Sequence, residues 1–198
     1  WVVHARAKIN LALEIVGRRP DGYHQLETLL TAVRWCDTVH MEPADRFSLR
    51  VISHEPVSWA RRAPLPSSED NLVAKGVRRL AEASGHEFTG RFTLIKRIPS
   101  QAGLGGGSSD AAAALLLANR AWGLGYTPEE LAAVAGEVGV DVPFFLASGA
   151  AIGTDRGDRL ERVTIPSGLP LVIVQPPMGL ATPEVFAQLG LARGEQDR

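Results

Sequence analysis

From Ala5 to Ile15 the odd positions are apolar (Ala5, Ala7, Ile9, Leu11, Leu13, Ile15), while Arg6, Lys8, Asn10 and Glu14 fall on even ones. A two-residue period marks a half-buried strand, so the odd set is expected on the core and Lys8 and Asn10 together on the opposite face. Gly17 to Gly22, with its Pro-Asp-Gly signature, reads as a turn. Leu26 to Met41 predicts one or two further strands broken near Cys36-Asp37, and Phe47-Leu49-Val51 alternates as another. The proline-bearing stretch His54 to Ser68 is a loop, followed by Ser67-Ser68-Glu69-Asp70-Asn71 as caps for a helix with Leu72, Val73, Val77 and Leu80 on one face. Phe92, Leu94 and Lys96 alternate along a strand that runs into a glycine-rich stretch. Beyond it, Ala111 to Leu117 is a run of strong helix formers. Thr127-Pro128-Glu129-Glu130 opens the next helix with a capping box and a proline at its first position. Gly149 to Gly153 and Leu160 to Val163 form a hairpin around Thr154 to Asp158, Leu171 to Val174 reads as a short apolar strand, and Thr182 to Phe186 starts a last helix. Strands first, then helices interleaved with strands, predict a two-layer α+β fold.

Composition narrows the class without naming it. A chain of 198 residues with 21 basic and 22 acidic side chains has no basic face for nucleic acid, so any anion it holds must be gripped locally. Cys36 is the only cysteine, which excludes an internal disulfide and a multi-cysteine metal site; beside Trp35 in a strand-like run, it is expected to be a buried thiol. No apolar run is long enough to cross a bilayer as a helix, no secretion signal is evident at the start, and the expected compartment is the cytoplasm. The missing initiator methionine and the polar ending suggest a trimmed chain or part of a longer one.

The chemistry concentrates in Pro99 to Ser109. Gly103, Gly105, Gly106 and Gly107 let the backbone come close to a ligand, and Ser108, Ser109 and Asp110 offer capping oxygens at the start of the following helix. Helix-start N–H groups lack internal partners and carry the positive end of the helix dipole, which suits phosphate. No lysine follows the glycines as a Walker A loop requires, the dinucleotide fingerprint fails at Ser108, and the nucleophile elbow fails at Asp110. Asp141, set between Val140 and Val142 ahead of Pro143-Phe144-Phe145, is expected to be partly buried and therefore to need a cation.

Pro99-x-x-x-Gly103-Leu104-Gly105-Gly106-Gly107-Ser108-Ser109-Asp110 resembles the phosphate loop of the GHMP small-molecule kinases. Ala7-Lys8-Ile9-Asn10, Pro20-Asp21-Gly22-Tyr23-His24 and Gly139-Val140-Asp141-Val142-Pro143 match further segments of that family in the same order, and the first two resemble the branch whose substrate carries a cytidine diphosphate group. The resemblance implies an N-terminal domain akin to a domain of ribosomal protein S5 over residues 1–165, and the first elements of an incomplete C-terminal α+β domain over 166–198. It implies ATP with Mg²⁺ as cofactor, and transfer of a phosphoryl group to an alcohol of a small molecule, without nucleic-acid or membrane partners. Lys8 and Asp141 would be the catalytic pair, joined as an ion pair. Pro99, Gly103, Leu104, Gly105, Gly106, Gly107, Ser108 and Ser109 would hold the phosphates, with Asn71 and Lys96 beside the nucleotide. Tyr23 and Phe186 would enclose a cytosine, His24 would hydrogen-bond to it, and Asn10 would touch the substrate. The competing readings are structural: helix capping for Asn71, a solvated strand face for Lys8, Asn10 and Lys96, and core packing for Phe186. No acidic cluster identifies a metal ligand, and Ser109 is the one candidate. The functional alternatives are another GHMP kinase, of homoserine or mevalonate type, and a nucleotide-binding module without turnover. Family members continue into a C-terminal domain with its own glycine-rich motif, which nothing after Arg198 supplies.

Overall fold

The structure, a computed structural model, describes residues 1–54, 70–147, 149–166, 168–174 and 185. Strand β1 (Val2–Arg18) and strand β2 (His24–Glu42) form a long antiparallel hairpin closed by the expected turn, where Arg19 N–H donates to Tyr23 O at 2.7 Å and Gly22 adopts φ 94°. Then come β3 (Ser48–Ser53), α1 (Leu72–Ser84), β4 (Arg91–Lys96), α2 (Gly106–Ala121), α3 (Pro128–Val138), α4 (Val142–Leu146), β5 (Ala150–Thr154) and β6 (Arg159–Val163).

The sheet is organised around β2. Its Thr38–Glu42 half pairs with β4 and its Thr28–Thr31 half with β5, while β1 runs along its other side. The order is β3-β4-β2-β5-β6, with β3 parallel to β4 and the other pairings antiparallel. The main core joins Val39, Met41, Phe92 and Leu94 of the sheet to Val73, Val77 and Leu80 of α1 and to the alanine-rich α2, giving the expected two-layer α+β arrangement.

Local chemistry sets most boundaries. Asn71 caps α1 by accepting from Val73 N–H at 3.0 Å, and Gly85 ends that helix in the left-handed conformation. Thr127 and Glu130 close the capping box at the start of α3. The hairpin β5–β6 forms where its glycines and turn residues predict.

Four expectations fail, each for a definable reason. Strand β2 is continuous through Cys36-Asp37; the irregularity there is a register shift against β1 between Arg6 and Lys8, because Asp37 finds buried partners and need not break the strand. Leu11 and Leu13 are 39% and 50% exposed: a bulge between Asn10 and Ala12 interrupts the alternation, and Asn10 to Glu14 are exposed at odd and even positions alike. Cys36 is half-buried, not buried. Leu171 to Val174 forms no strand and is exposed, with Val172 at 91%, because no sheet edge among the described residues pairs with it. The helix expected from Thr182 to Phe186, and with it the role of Phe186, lies outside the described residues.

Candidate active site

One cavity of about 1100 Å³ receives side chains from distant parts of the chain: Lys8, Asn10, Tyr23, His24, Asn71, Lys96 and Asp141, together with the backbone of Pro99 and Gly103 to Ser108. Of the candidates within the described residues, only Ser109 is absent from its wall. Its side chain is 2% exposed and its N–H donates to Gly105 O at 2.9 Å, so Ser109 is the first residue held by helical bonding.

The cap of α2 departs from expectation in an informative way. Ser108, Ser109 and Asp110 lie inside the helix, and the cap is Gly105, in a left-handed conformation with φ 67° and no side-chain capping bond. The amides of Gly106, Gly107 and Ser108 therefore face the cavity end of the helix without a side chain competing for them, the condition for anion binding. A Cβ at position 105 would lie 2.7 Å from Phe145 Cζ and 3.0 Å from Lys8 Cγ. Only glycine lets the loop nest between β1 and α4, and α4 is the element whose cap residue is Asp141. Leu104 O accepts from Lys8 N–H at 2.9 Å, pinning the loop to β1 at the same point.

Lys8 and Asp141 thus border one space but are not joined: Lys8 Nζ donates to Asn10 Oδ1 at 2.8 Å, and no ion pair links it to Asp141. The expected pairing fails because both groups are only half-buried, so water can serve each. Asn10 Nδ2 donates in turn to Thr28 Oγ1 at 2.7 Å, and Thr28 Oγ1 to Ala12 O at 2.8 Å. Thr28, buried at 5% and on the cavity wall, orients the relay that ends at Lys8 and had no distinguishing mark in the sequence.

The larger surprise is Lys96. It touches the cavity but is 4% exposed, and its ammonium donates to Asp37 Oδ2 at 2.5 Å and Asp110 Oδ2 at 2.8 Å. The reading of Lys96 as a solvated lysine is excluded, and its charge is already engaged. Burial lowers its pKa, but the two carboxylates outweigh that and leave it raised. Asp37 has further donors in the N–H groups of Arg97 and Ile98, whereas Asp110 Oδ1 is buried without a partner. Burial first, and then the charge of Asp37, push Asp110 up to about 7 against the pull of Lys96. An acid in the middle of a long strand, next to Trp35-Cys36 (Asp37), and another directly ahead of four alanines (Asp110) were the available signals, because such groups persist in the interior only when paired.

At the far end of the cavity Tyr23 is 55% exposed, with the Arg156 guanidinium 5.3 Å from its ring centroid and itself bonded to Asp158. Burial, aided by Arg18, lowers the pKa of His24, so its ring is neutral near pH 7. Among the described residues no group of three or more His, Cys, Asp or Glu could hold a metal. A divalent cation here would have to take most of its ligands from a bound phosphate chain, with Asp141 and Ser108 as oxygen donors on the wall.

A glycine loop feeding an uncapped helix start, on a sheet of this topology, defines a class, and a family profile described as "GHMP kinases N terminal domain" matches residues 71–149. The chain carries that domain. It is similar to proteins named 4-diphosphocytidyl-2-C-methyl-D-erythritol kinase: 42% identical to that of Pelotomaculum thermopropionicum over 92% of this chain and 61% of the relative, and 42% identical to that of a Polaromonas species over 96% and 62%. A crystal structure of 4-(cytidine 5'-diphospho)-2C-methyl-D-erythritol kinase aligns with a TM-score of 0.69 at 36% identity, covering 84% of this chain and 56% of that one. A homoserine kinase from Cytophaga hutchinsonii, at 22% identity and TM-score 0.55, shares the fold. The chain thus spans about three fifths of the length of these curated relatives. Among the described residues no helix is long and apolar enough to cross a membrane.

Proposed function

We propose that this chain is the nucleotide-binding part of an ATP-dependent kinase that phosphorylates the 2-hydroxyl of 4-diphosphocytidyl-2-C-methyl-D-erythritol, a precursor in non-mevalonate isoprenoid synthesis, in the cytoplasm. The observation that carries the reading is the single cavity that receives the uncapped start of α2, Lys8, Asp141 and the Tyr23-His24 pair. Residues 1–165 form the ATP-binding domain in this reading and 166–198 begin a second one.

Phosphoryl transfer needs in-line positioning and neutralisation of charge more than covalent chemistry. The amides of Gly106, Gly107 and Ser108 bind the ATP phosphates. Lys8, steadied by Asn10 and Thr28, holds positive charge beside the moving phosphoryl group. Asp141 orients the acceptor hydroxyl and receives its proton; an aspartate is a feeble base toward an alcohol, so orientation is the larger share. Mg²⁺, when bound, neutralises the β- and γ-phosphates, and Ser108 and Asp141 are the residues that would contribute to holding it. Tyr23 stacks on the cytosine, and the neutral ring of His24 exchanges a hydrogen bond with it.

The test is phosphate transfer from Mg-ATP to 4-diphosphocytidyl-2-C-methyl-D-erythritol, followed by phosphorus NMR, with CDP as competitor. Transfer that CDP suppresses is the expected outcome. Preference for homoserine or mevalonate, with indifference to CDP, would replace the acceptor. ATP binding without transfer to any of these would leave a nucleotide-binding module.

A further inference from the structure

We infer that Asp37, which does not reach the cavity, is a positioning residue for the phosphate loop, an inference that rests on the kinase reading above. Two legs of the loop meet on this one carboxylate. Oδ1 accepts from the N–H groups of Arg97 and of Ile98, the latter at 2.8 Å, where the chain leaves β4 for the glycines. Oδ2 accepts from Lys96 Nζ at 2.5 Å, and the same ammonium holds Asp110 Oδ2 at 2.8 Å inside α2, on the other side of the loop. Asp37 thus clasps the upstream leg directly and the downstream leg through Lys96.

The clasp lies against the phosphate-facing amides. A Cβ on Gly106 would sit 3.1 Å from Lys96 Nζ and 3.0 Å from Ile98 Cγ2, so the first helical residue of α2 rests directly on it. The glycines between the legs have wide conformational freedom in the absence of such a hold, and each amide that must be ordered at binding weakens the complex. Asp37 is 0% exposed, and a buried ion group is seldom required for stability alone, since apolar packing of the same volume often serves as well. Two backbone N–H groups and a shared ammonium give this one a geometric task.

Asp37→Asn preserves size and the Oδ1 acceptor but deprives Lys96 of one anionic partner. Calorimetric titration of the full chain with Mg-ATP, and separately with inorganic tripolyphosphate, should show both Kd values raised by the same factor of about ten, while thermal unfolding stays cooperative. Hydrogen exchange should quicken across residues 97–110 and stay unchanged in α3. A wild-type chain that binds ATP beside a variant that binds it equally well overturns this inference and leaves the kinase reading standing. Loss of ATP affinity with tripolyphosphate affinity retained also overturns it, because the clasp would then act on the base and not the phosphates. Wild type that binds neither ligand sinks both readings. If the variant does not fold, exchange in the free wild type decides: protection of the Arg97 and Ile98 amides before ATP is added supports the inference, and protection acquired only with ATP overturns it.

Discussion

Lys8 and Lys96 abut neighbouring glycines of one loop, Lys8 at Gly105 and Lys96 at Gly106, yet their surroundings are opposite. Lys96 touches the cavity but is only 4% exposed, and its ammonium is engaged by Asp37 and Asp110. Lys8 is half-buried, donates to a neutral amide and forms no ion pair among the described residues, although Asp141 borders the same cavity. The physical lesson is that burial, not catalysis, compels charge pairing: a cation with access to water keeps its charge available for a ligand, and one without it must be neutralised by the protein. One lysine builds the loop, and the other faces what the loop holds.

The sharpest way to break this contrast is to remove charge on each side. Asp141→Asn and Lys8→Met should each lower phosphate transfer by about 10²- to 10⁴-fold. Their effect on urea-unfolding stability should stay within about 0.5 kcal/mol, because no ion pair is lost. Lys96→Met should do the reverse to stability, costing about 3–5 kcal/mol by leaving two buried carboxylates without their cation. Comparable unfolding midpoints for Lys8→Met and Lys96→Met would erase the distinction.

A smaller effect is expected where the two halves of the loop meet. Gly105→Ala places a Cβ at φ 67° and 2.7 Å from Phe145 Cζ. The left-handed backbone alone costs about 1–2 kcal/mol. Moving Phe145 also displaces α4 and its cap residue Asp141, so ATP affinity and transfer should fall together in titration and turnover assays. A variant with unchanged transfer would show that α4 does not depend on this contact.

The sequence made the strands, the turn at Pro20-Asp21-Gly22, the capping box at Thr127 and the closing hairpin readable, because each is decided by residues within a few positions of one another. It also brought Lys8, Tyr23, the glycines and Asp141 to one list before any coordinates placed them on one cavity. What it concealed depends on tertiary neighbours. The partner of Lys96 is Asp37, 59 residues away, and no local pattern marks that pairing; the family resemblance put an ion pair on Lys8 and Asp141 instead. Leu11 and Leu13 are exposed where a bulge interrupts the alternation and neither face of Asn10 to Glu14 is covered, which a hydrophobic pattern does not encode. The serines after the glycines looked like caps, whereas the cap is a glycine, and that substitution is what leaves the helix start open to a ligand.

The buried cluster can also be tested by its protons. Asp110 ionises near 3.8 in the unfolded chain and near 7 in the native one, so between those values the native state holds a proton that the unfolded state has already lost. Stability must then fall as pH rises through that window, by at most about 1.4 kcal/mol per pH unit from this group, and change no further above it. His24 works in the opposite direction: its native pKa is lowered from 6.5, so below 6.5 the unfolded state takes up the proton first and stability rises with pH. The raised pKa of Lys96 contributes stability present below 10.5 and lost only as pH passes its higher native value, outside this range. Urea-unfolding midpoints for the wild type and Asp110→Asn from about pH 4.5 to 7.5 isolate the cluster by difference. The variant should gain on the wild type steadily as pH rises, because it cannot acquire the uncompensated buried charge. A difference curve flat with pH would mean that Asp110 is already ionised throughout, and that the ammonium of Lys96 suffices for two carboxylates.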